Sequence, residues 1–600
     1  MNSIVKQITD RIKERSAKTR TAYLAQMKAA EQDGVIRKDL ACGNLAHAFA
    51  ACAEDEKMDL SGTQKANLAI ITAYNDMLSA HKTYEHYPEQ IRQTARRVGS
   101  VAQVASGVPA MCDGVTQGQL GMELSLFSRD IIALSTAIGM SHAMFDGGLC
   151  LGICDKIVPG MMIGALRFGH LPFIFVPGGP MESGITNEEK AAFRRDYAAG
   201  KIGREELLKA ESASYHSAGT CTFYGTANSN QMLMEIMGIH LPGASFVTPG
   251  TPLRTALTDF AVERLTKITK QSNDFIPMYE VITEESIVNA LVGLLATGGS
   301  TNHTLHIVAI ARAAGIIINW EDFSDLSEAI PQLTKVYPNG NADINHFQAC
   351  GGMGFLMKTL REGGYLNENV TTIMGKGLEA YTKEPFMNGD QLEWRDCPEN
   401  SLDETVLRSV KNPFASTGGL RIMNGNIGRS VIKSSAVKDE HLVVTAPAAV
   451  FDDQDEVIKA FKRGELNRDV IVVVKNQGAH AIGMPELHKL TPTLSLLLNQ
   501  GYKVALVTDG RMSGASGKVP SAIHLSPEAA KGGLIAKLED GDIIEFNGQT
   551  GALNVQNFEE VNARPFVMAE NHDSFGVGRE LFNRLKPLVS ESEEGASFII

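Results

Sequence analysis

Three cysteines stand in glycine-bearing turns: Cys112 in MCDGVTQG, Cys154 in GICDKIVPG and Cys221 in AGTCTFYG. Aspartate follows at once in two of them, as Asp113 and Asp155, and Lys156 follows Asp155. A soft thiolate beside a hard carboxylate is an odd pairing for a structural role. It suits a site that holds an iron–sulfur cluster next to a hard divalent cation. The spacing matches no pair of C-x2-C clusters, which argues against a zinc ribbon. The bland reading of a lone cysteine is a small buried hydrophobe, and Cys42, Cys52, Cys150, Cys350 and Cys397 are read that way. Crowding by Asp155, Lys156 and the Pro159-Gly160 stop weighs against that reading for Cys154. It weighs less against it for Cys112, and least for Cys221, whose glycines at 219 and 225 also serve to shape a loop.

The hard donors are Asp113, Asp155 and Glu486, the last in GMPELHKL. Each is a candidate oxygen ligand for magnesium, although a single Asp in a glycine turn is more often a turn former. Lys156 gains chemical interest only when desolvated, because a neutral amine can add carbon dioxide to give an anionic carbamate. In VTDGRMSGASGKVPSAIH, Ser513 follows a strand-like run, and glycines at 510, 514 and 517 would let backbone N–H groups approach an anion. TGGSTNH, with Ser300 and Thr301, offers similar groups where a helix over 301–314 begins. Both loops read equally well as unliganded turns.

These residues need a frame. From about 65 to 380, short apolar runs alternate with longer helical patterns. Strands are expected at 68–73, 149–153 and 173–176, and helices at 122–139 and 160–169. In the first helix Leu124, Phe127, Ile131, Leu134 and Ile138 share a face. Such alternation predicts a mostly parallel sheet with ligands outside the carboxyl ends of its strands, where Cys154 falls. Residues 383–415 are rich in proline, charge and turn formers, which places a domain boundary there. The expected division is 1–385, an α/β domain carrying the cluster and metal motifs, and 386–600, a smaller β-rich, barrel-like domain carrying Glu486 and Ser513. Strands are expected there at 442–446, 470–474 and 504–507, with a hairpin around Asn547-Gly548.

The 600 residues carry a net charge of −13, so no global basic field draws the chain to nucleic acid or acidic lipid. No apolar run is long enough to span a bilayer, and the charged amphipathic start lacks the apolar core of a signal peptide. Eight irregularly spaced cysteines do not form a disulfide framework. A cytoplasmic, reduced setting is expected.

MCDGVTQG, GICDKIVPG, AGTCTFYGTANSNQM, LATGGSTNH, GMPELHKL and VTDGRMSGASG resemble, in order, the motifs of the dihydroxy-acid/6-phosphogluconate dehydratase family. The similarity runs from about 40 to 590. Longer stretches such as LACGNLAHAFAAC, YNDMLSAHKTYEHYP and YPNGNADINHFQA resemble the branch that acts on the phosphorylated sugar acid. The resemblance implies conversion of 6-phospho-D-gluconate to 2-dehydro-3-deoxy-6-phospho-D-gluconate plus water, in the Entner–Doudoroff route. It implies cluster ligation by Cys154 and Cys221, and Mg2+ (or Mn2+) held by Asp113, Asp155, Glu486 and Lys156 as a carbamate. Ser513 would be the base, and the enzyme a homodimer. Some members carry a further cluster cysteine in a W-N-x-x-x-P-C-N segment, but here that stretch runs Tyr74 to His81 without one. The inferred cofactor is therefore a [4Fe–4S] cluster on Cys154, Cys221 and Cys112, with one iron free for substrate. Candidates for the phosphate are Lys518 first, then Arg429, Lys433 and the loop with Ser300 and Thr301. The rivals are a dehydratase of an unphosphorylated sugar acid or dihydroxy acid, and a non-catalytic iron–sulfur or anion-binding protein.

Overall fold

The computed structural model describes residues 1–198, 200–513, 517–566 and 574–600. Strands β1 (Asn67–Thr72), β2 (Val101–Gly107), β3 (Gly147–Leu151) and β4 (Phe173–Phe175) form an all-parallel sheet in the order β2-β1-β3-β4. Every residue of β1, β3 and β4 is buried, as befits parallel strands covered on both faces by helices. The three expected strands are these three, with their ends shifted by one or two residues. β2 lies at the edge and is half exposed.

The helix expected at 122–139 begins later, at Ser125–Met140, after a 3-10 turn over Leu120–Leu124. Its inward face also differs from the expected one. Leu126, Phe127, Ile132, Ala133, Thr136 and Met140 are buried, whereas Leu134 and Ile138 are 43% and 66% exposed. The reason is close packing on the helix Ile157–Leu166. A Cβ at Gly160 would lie 2.5 Å from the Arg129 carbonyl oxygen, and one at Gly164 would lie 2.6 Å from Thr136 Cβ. Such an approach requires small residues, so the bulky aliphatic stripe faces outward.

A small ladder, β5 (Thr371–Thr372) with β6 (Gly375–Lys376), precedes a hairpin of β7 (Lys383–Asn388) and β8 (Gln391–Asp396). The division at 385/386 falls inside β7. Trp394 pins this hairpin to the first core, donating from Nε1 to the Pro242 carbonyl at 3.0 Å and packing 4.9 Å from the Phe260 ring. That core continues through Cys397, Leu407 and Leu420.

The second core is a closed eight-stranded barrel. Its strands are β9 (Leu420–Gly425), β10 (Gly428–Lys433), β11 (Val443–Phe451), β12 (Val470–Val474), β13 (Val504–Thr508), β14 (Ser521–Ser526), β15 (Ile543–Asn547) and β16 (Ala552–Val555). They close in the order β10-β14-β13-β12-β11-β15-β16-β9. β11 to β14 pair in parallel, and β15 and β16 form the hairpin expected at Asn547-Gly548. Alternation sorts the side chains: Ile471, Val473, Ala505 and Val507 fill the barrel. Val470, Val472, Val474, Val504 and Leu506 face the helices Gln454–Lys462 and Leu490–Asn499. Among the described residues no helix is long and apolar enough to cross a membrane.

Candidate active site

The loops at the carboxyl ends of the parallel strands bring the three singled-out cysteines together. Cys112 follows β2 and precedes the short helix Asp113–Thr116. Cys154 follows β3 with φ of +76°, a left-handed backbone that costs a non-glycine residue about 1–3 kcal/mol. The Asn230 side-chain amide holds this turn, donating to the carbonyls of Cys154 and Asp155 at 3.0 Å each. Asn228 does the same for Cys221, donating to its carbonyl at 2.8 Å.

The thiols sense one another. The neighbouring Cys154 thiol draws Cys112 below the usual thiol value. That same contact, with burial, pushes Cys154 well above the usual thiol range. Burial first, and then the charge of Cys112, pushes Cys221 up to about 12. All three are free thiols. Three neighbouring thiols with no disulfide are soft donors of the kind iron–sulfur clusters take. Of the other five, Cys52, Cys150, Cys350 and Cys397 are buried as expected, whereas Cys42 is exposed on the helix Cys42–Ala50.

Beside the thiols, single carboxylate oxygens of Asp113, Asp155 and Glu486 lie within 4.8 Å of one another, a group that could hold a metal ion. Asp113 and Asp155 come from the first sheet. Glu486 follows β12, and a bridge to Arg511 beyond β13 fixes it. The Lys156 ammonium is hydrogen-bonded to both Asp113 and Asp155 and is fully buried. Arg511, also buried, reaches Glu486 at 2.8 Å, Asp113 at 3.2 Å and Asp155 at 3.5 Å. Ser125 donates to Asp113 at 2.5 Å. Burial opposes ionisation of Asp155, but Lys156, His306 and Arg511 outweigh it and hold the carboxyl well below its ordinary value. Burial pushes Glu486 up to about 8 despite Arg511. Asp155 Oδ1 is buried with no hydrogen-bond partner, an oxygen well suited to a cation. The donor set is all oxygen, as Mg2+ prefers, and Lys156 now provides the positive charge between two of its members.

The sequence reading missed Arg511, Ser125 and His306. Arg511 lies in the same motif as Ser513, two residues before it, and a charged residue leaving a buried strand was the available signal. Ser513 is half-buried, and Gly514 lies outside the described residues. Lys518 is exposed. Ser300 is buried, its hydroxyl 2.8 Å from that of Thr226, and Thr301 is buried beside it. Lys433 donates to the Gly298 carbonyl in the same loop at 2.8 Å. Arg429 meets Glu321 at 2.5 Å and Glu593 at 2.9 Å. An open cleft of about 1130 Å³ has Pro485 and Glu486 in its wall.

Family comparison bears on this centre. The description dihydroxy-acid/6-phosphogluconate dehydratase matches twice, its N-terminal part over residues 65–381 and its C-terminal part over 405–596. The chain belongs to that family. Full-length relatives agree with the assignment. Phosphogluconate dehydratase of Pseudomonas aeruginosa is 58% identical over 597 residues, covering 99% of this chain and 98% of its own. Phosphogluconate dehydratase of Escherichia coli K12 is 56% identical over 601 residues, with full coverage of both chains. A dihydroxy-acid dehydratase of Caldanaerobacter subterraneus is 35% identical over 509 residues, covering 83% of this chain and 87% of its own. Family membership makes the chain a dehydratase, a hydro-lyase.

Proposed function

We propose that this dehydratase converts 6-phospho-D-gluconate to 2-dehydro-3-deoxy-6-phospho-D-gluconate and water, the reaction of the Entner–Doudoroff route. The observation that carries the reading is the meeting of three thiols with three carboxylates at the ends of two parallel strand arrays. Relatives named for the same reaction, at 56–58% identity over nearly the whole length, support the substrate.

Cys112, Cys154 and Cys221 would hold a [4Fe–4S] cluster, and Asp113, Asp155, Glu486 and a carbamylated Lys156 would hold Mg2+ (or Mn2+). When bound, the two groups supply Lewis acidity, at the departing C3 hydroxyl and at the carboxylate and C2 oxygen where charge develops. Ser513, as its alkoxide, would take the C2 proton; loss of the C3 hydroxyl, which that proton turns into water, leaves an enol that tautomerises to the ketone. Arg511 holds the carboxylates at their mutual spacing while carbamylation converts Lys156 from cation to anion. Ser300, Thr301 and Lys518 are candidates for the rest of the substrate. Arg429 would have to exchange Glu321 or Glu593 for the phosphate.

We also propose a cytoplasmic homodimer. Its support is the outward stripe of Leu134 and Ile138, joined to edge strand β2 by the Ser106 hydroxyl, which donates to the Ser135 carbonyl at 3.1 Å. Val104, 43% exposed, also lies on β2.

The test is anaerobic purification, assay of iron and acid-labile sulfide, and then 6-phosphogluconate with Mg2+ and detection of 2-keto acid. About four irons per chain with keto-acid formation is the expected result. Iron with turnover only of unphosphorylated sugar acids or dihydroxy acids would move the substrate assignment. No iron after reconstitution would overturn the cluster.

A further inference from the structure

Buried cations in this chain commonly face a carboxylate: Arg37 meets Asp146, Arg129 meets Asp130, and Lys156 meets Asp113 and Asp155. Lys190 is an exception. It is only 8% exposed, and among the described residues no carboxylate oxygen lies within ion-pair distance of its ammonium. Instead Nζ donates to Tyr215 Oη at 3.4 Å and lies 4.9 Å and 5.9 Å from the ring centroids of Tyr215 and Phe223. The rings hold the ammonium and exclude water without neutralising it.

Its position is as telling as its environment. Lys190 lies on the helix Asn187–Ala198, which the chain enters directly from the loop leaving the carboxyl end of β4. That is the end of the sheet from which Cys112 and Cys154 hang. Tyr215 and Phe223 flank Cys221 in sequence, and the charge of Lys190 acts on the Cys221 thiol. The charge of neighbouring Arg194 also acts on that thiol, but Glu211 holds the guanidinium in a two-point pair. A desolvated ammonium with unused donors, close to the Cys221 thiol of a site read as taking a substrate with two anionic ends, lacks an anion.

We propose that Lys190, with the Tyr215 hydroxyl beside it, receives the phosphate of the substrate and sets the preference for a phosphorylated over an unphosphorylated sugar acid. This rests on the dehydratase reading of the same site. The carboxylate end of the substrate belongs with the acid group and its cation. The opposite end then meets two donors, one charged, that would form charge-assisted hydrogen bonds to a phosphate dianion. Exposed Lys518 offers a solvated charge, and Arg429 is already matched.

The experiment compares wild type with Lys190→Met, Lys190→Arg, Tyr215→Phe and Lys518→Gln, each loaded anaerobically, with circular dichroism and iron content measured on every sample. Inorganic phosphate serves as the probe ligand. For Lys190→Met the ratio of kcat/KM for 6-phosphogluconate over gluconate should fall about 10- to 100-fold, mostly through KM, as for a lost hydrogen bond to a charged group. Inhibition by inorganic phosphate should weaken in step, iron should stay, and Lys190→Arg should recover part of the loss. An unchanged ratio and unchanged phosphate inhibition in a folded, iron-loaded Lys190→Met protein would overturn the proposal. So would iron lost from both Lys190 variants, which would make the lysine a counter-charge to the cluster, or a larger shift in Lys518→Gln. Wild type that ignores 6-phosphogluconate brings down the underlying reading, and is told apart because no variant is needed to see it.

Discussion

Arg511 is the residue on which the acid group balances. It faces three carboxylates with one guanidinium, and Lys156 shares the task at two of them. In Arg511→Met the buried acids lose the one cation that meets all three, and a loss of about 3–5 kcal/mol in denaturant unfolding is expected, as for other broken buried pairs. Ser513→Ala should behave in the opposite way: near-normal stability and iron, but kcat lower by about 10²–10⁴-fold, as for a removed acid–base group. A Ser513→Ala enzyme at the wild-type rate would place the base elsewhere. The acids and cysteines were legible because thiol and carboxylate stand side by side at Cys112-Asp113 and Cys154-Asp155, an odd pairing for a structural role. Arg511 and Lys190 were not. An arginine after a strand and a lysine within NEEKAAFRR both read as solvent charges until the fold encloses them.

Among elements, the helix pair Ser125–Met140 and Ile157–Leu166 has the most direct hold on the centre. The second helix begins one residue after Lys156, and the first carries Ser125, which touches Asp113. Gly160 sits where these helices pack too closely for a Cβ. Gly160→Ala should cost about 1–3 kcal/mol by overpacking, and should also lower bound iron, because any relief moves the helix start that follows Cys154. Stability lost with full iron content would show that the turn is uncoupled from the helix. Strands β1, β3 and β4 were readable from their unbroken apolar runs. The buried face of the first helix was not, because both of its faces carry large aliphatics and the choice between them depends on glycines in another element.

For the whole molecule, two measurements follow. Ile138→Asp places a charge in the outward apolar stripe, so sedimentation should find wild type as a dimer and the variant as a monomer; a monomeric wild type would remove the dimer proposal. Stability should also carry a signature of Asp509, whose buried carboxylate accepts the N–H groups of Gln477 and Ala529 at 2.9 Å each and joins two barrel loops. Burial and then Glu528 raise it from 3.8 to about 7. Between those values the folded chain keeps a proton that the unfolded chain has released, so this contribution to stability declines as pH rises through that window. Relative to wild type, Asp509→Asn should therefore gain stability from acid to neutral pH in parallel melts, and a constant difference would exclude the linkage.

The acid group is also a clasp. Asp113 and Asp155 belong to the sheet core, and Glu486 and Arg511 to the barrel, so their contacts close across two bodies that each keep their own hydrogen-bonded framework. Warming or mild denaturant that parts these bodies by a fraction of their span would open the clasp and leave both frameworks standing. Such an enzyme would stop working before it lost its shape, and its working lifetime would be set by the tightness of one seam.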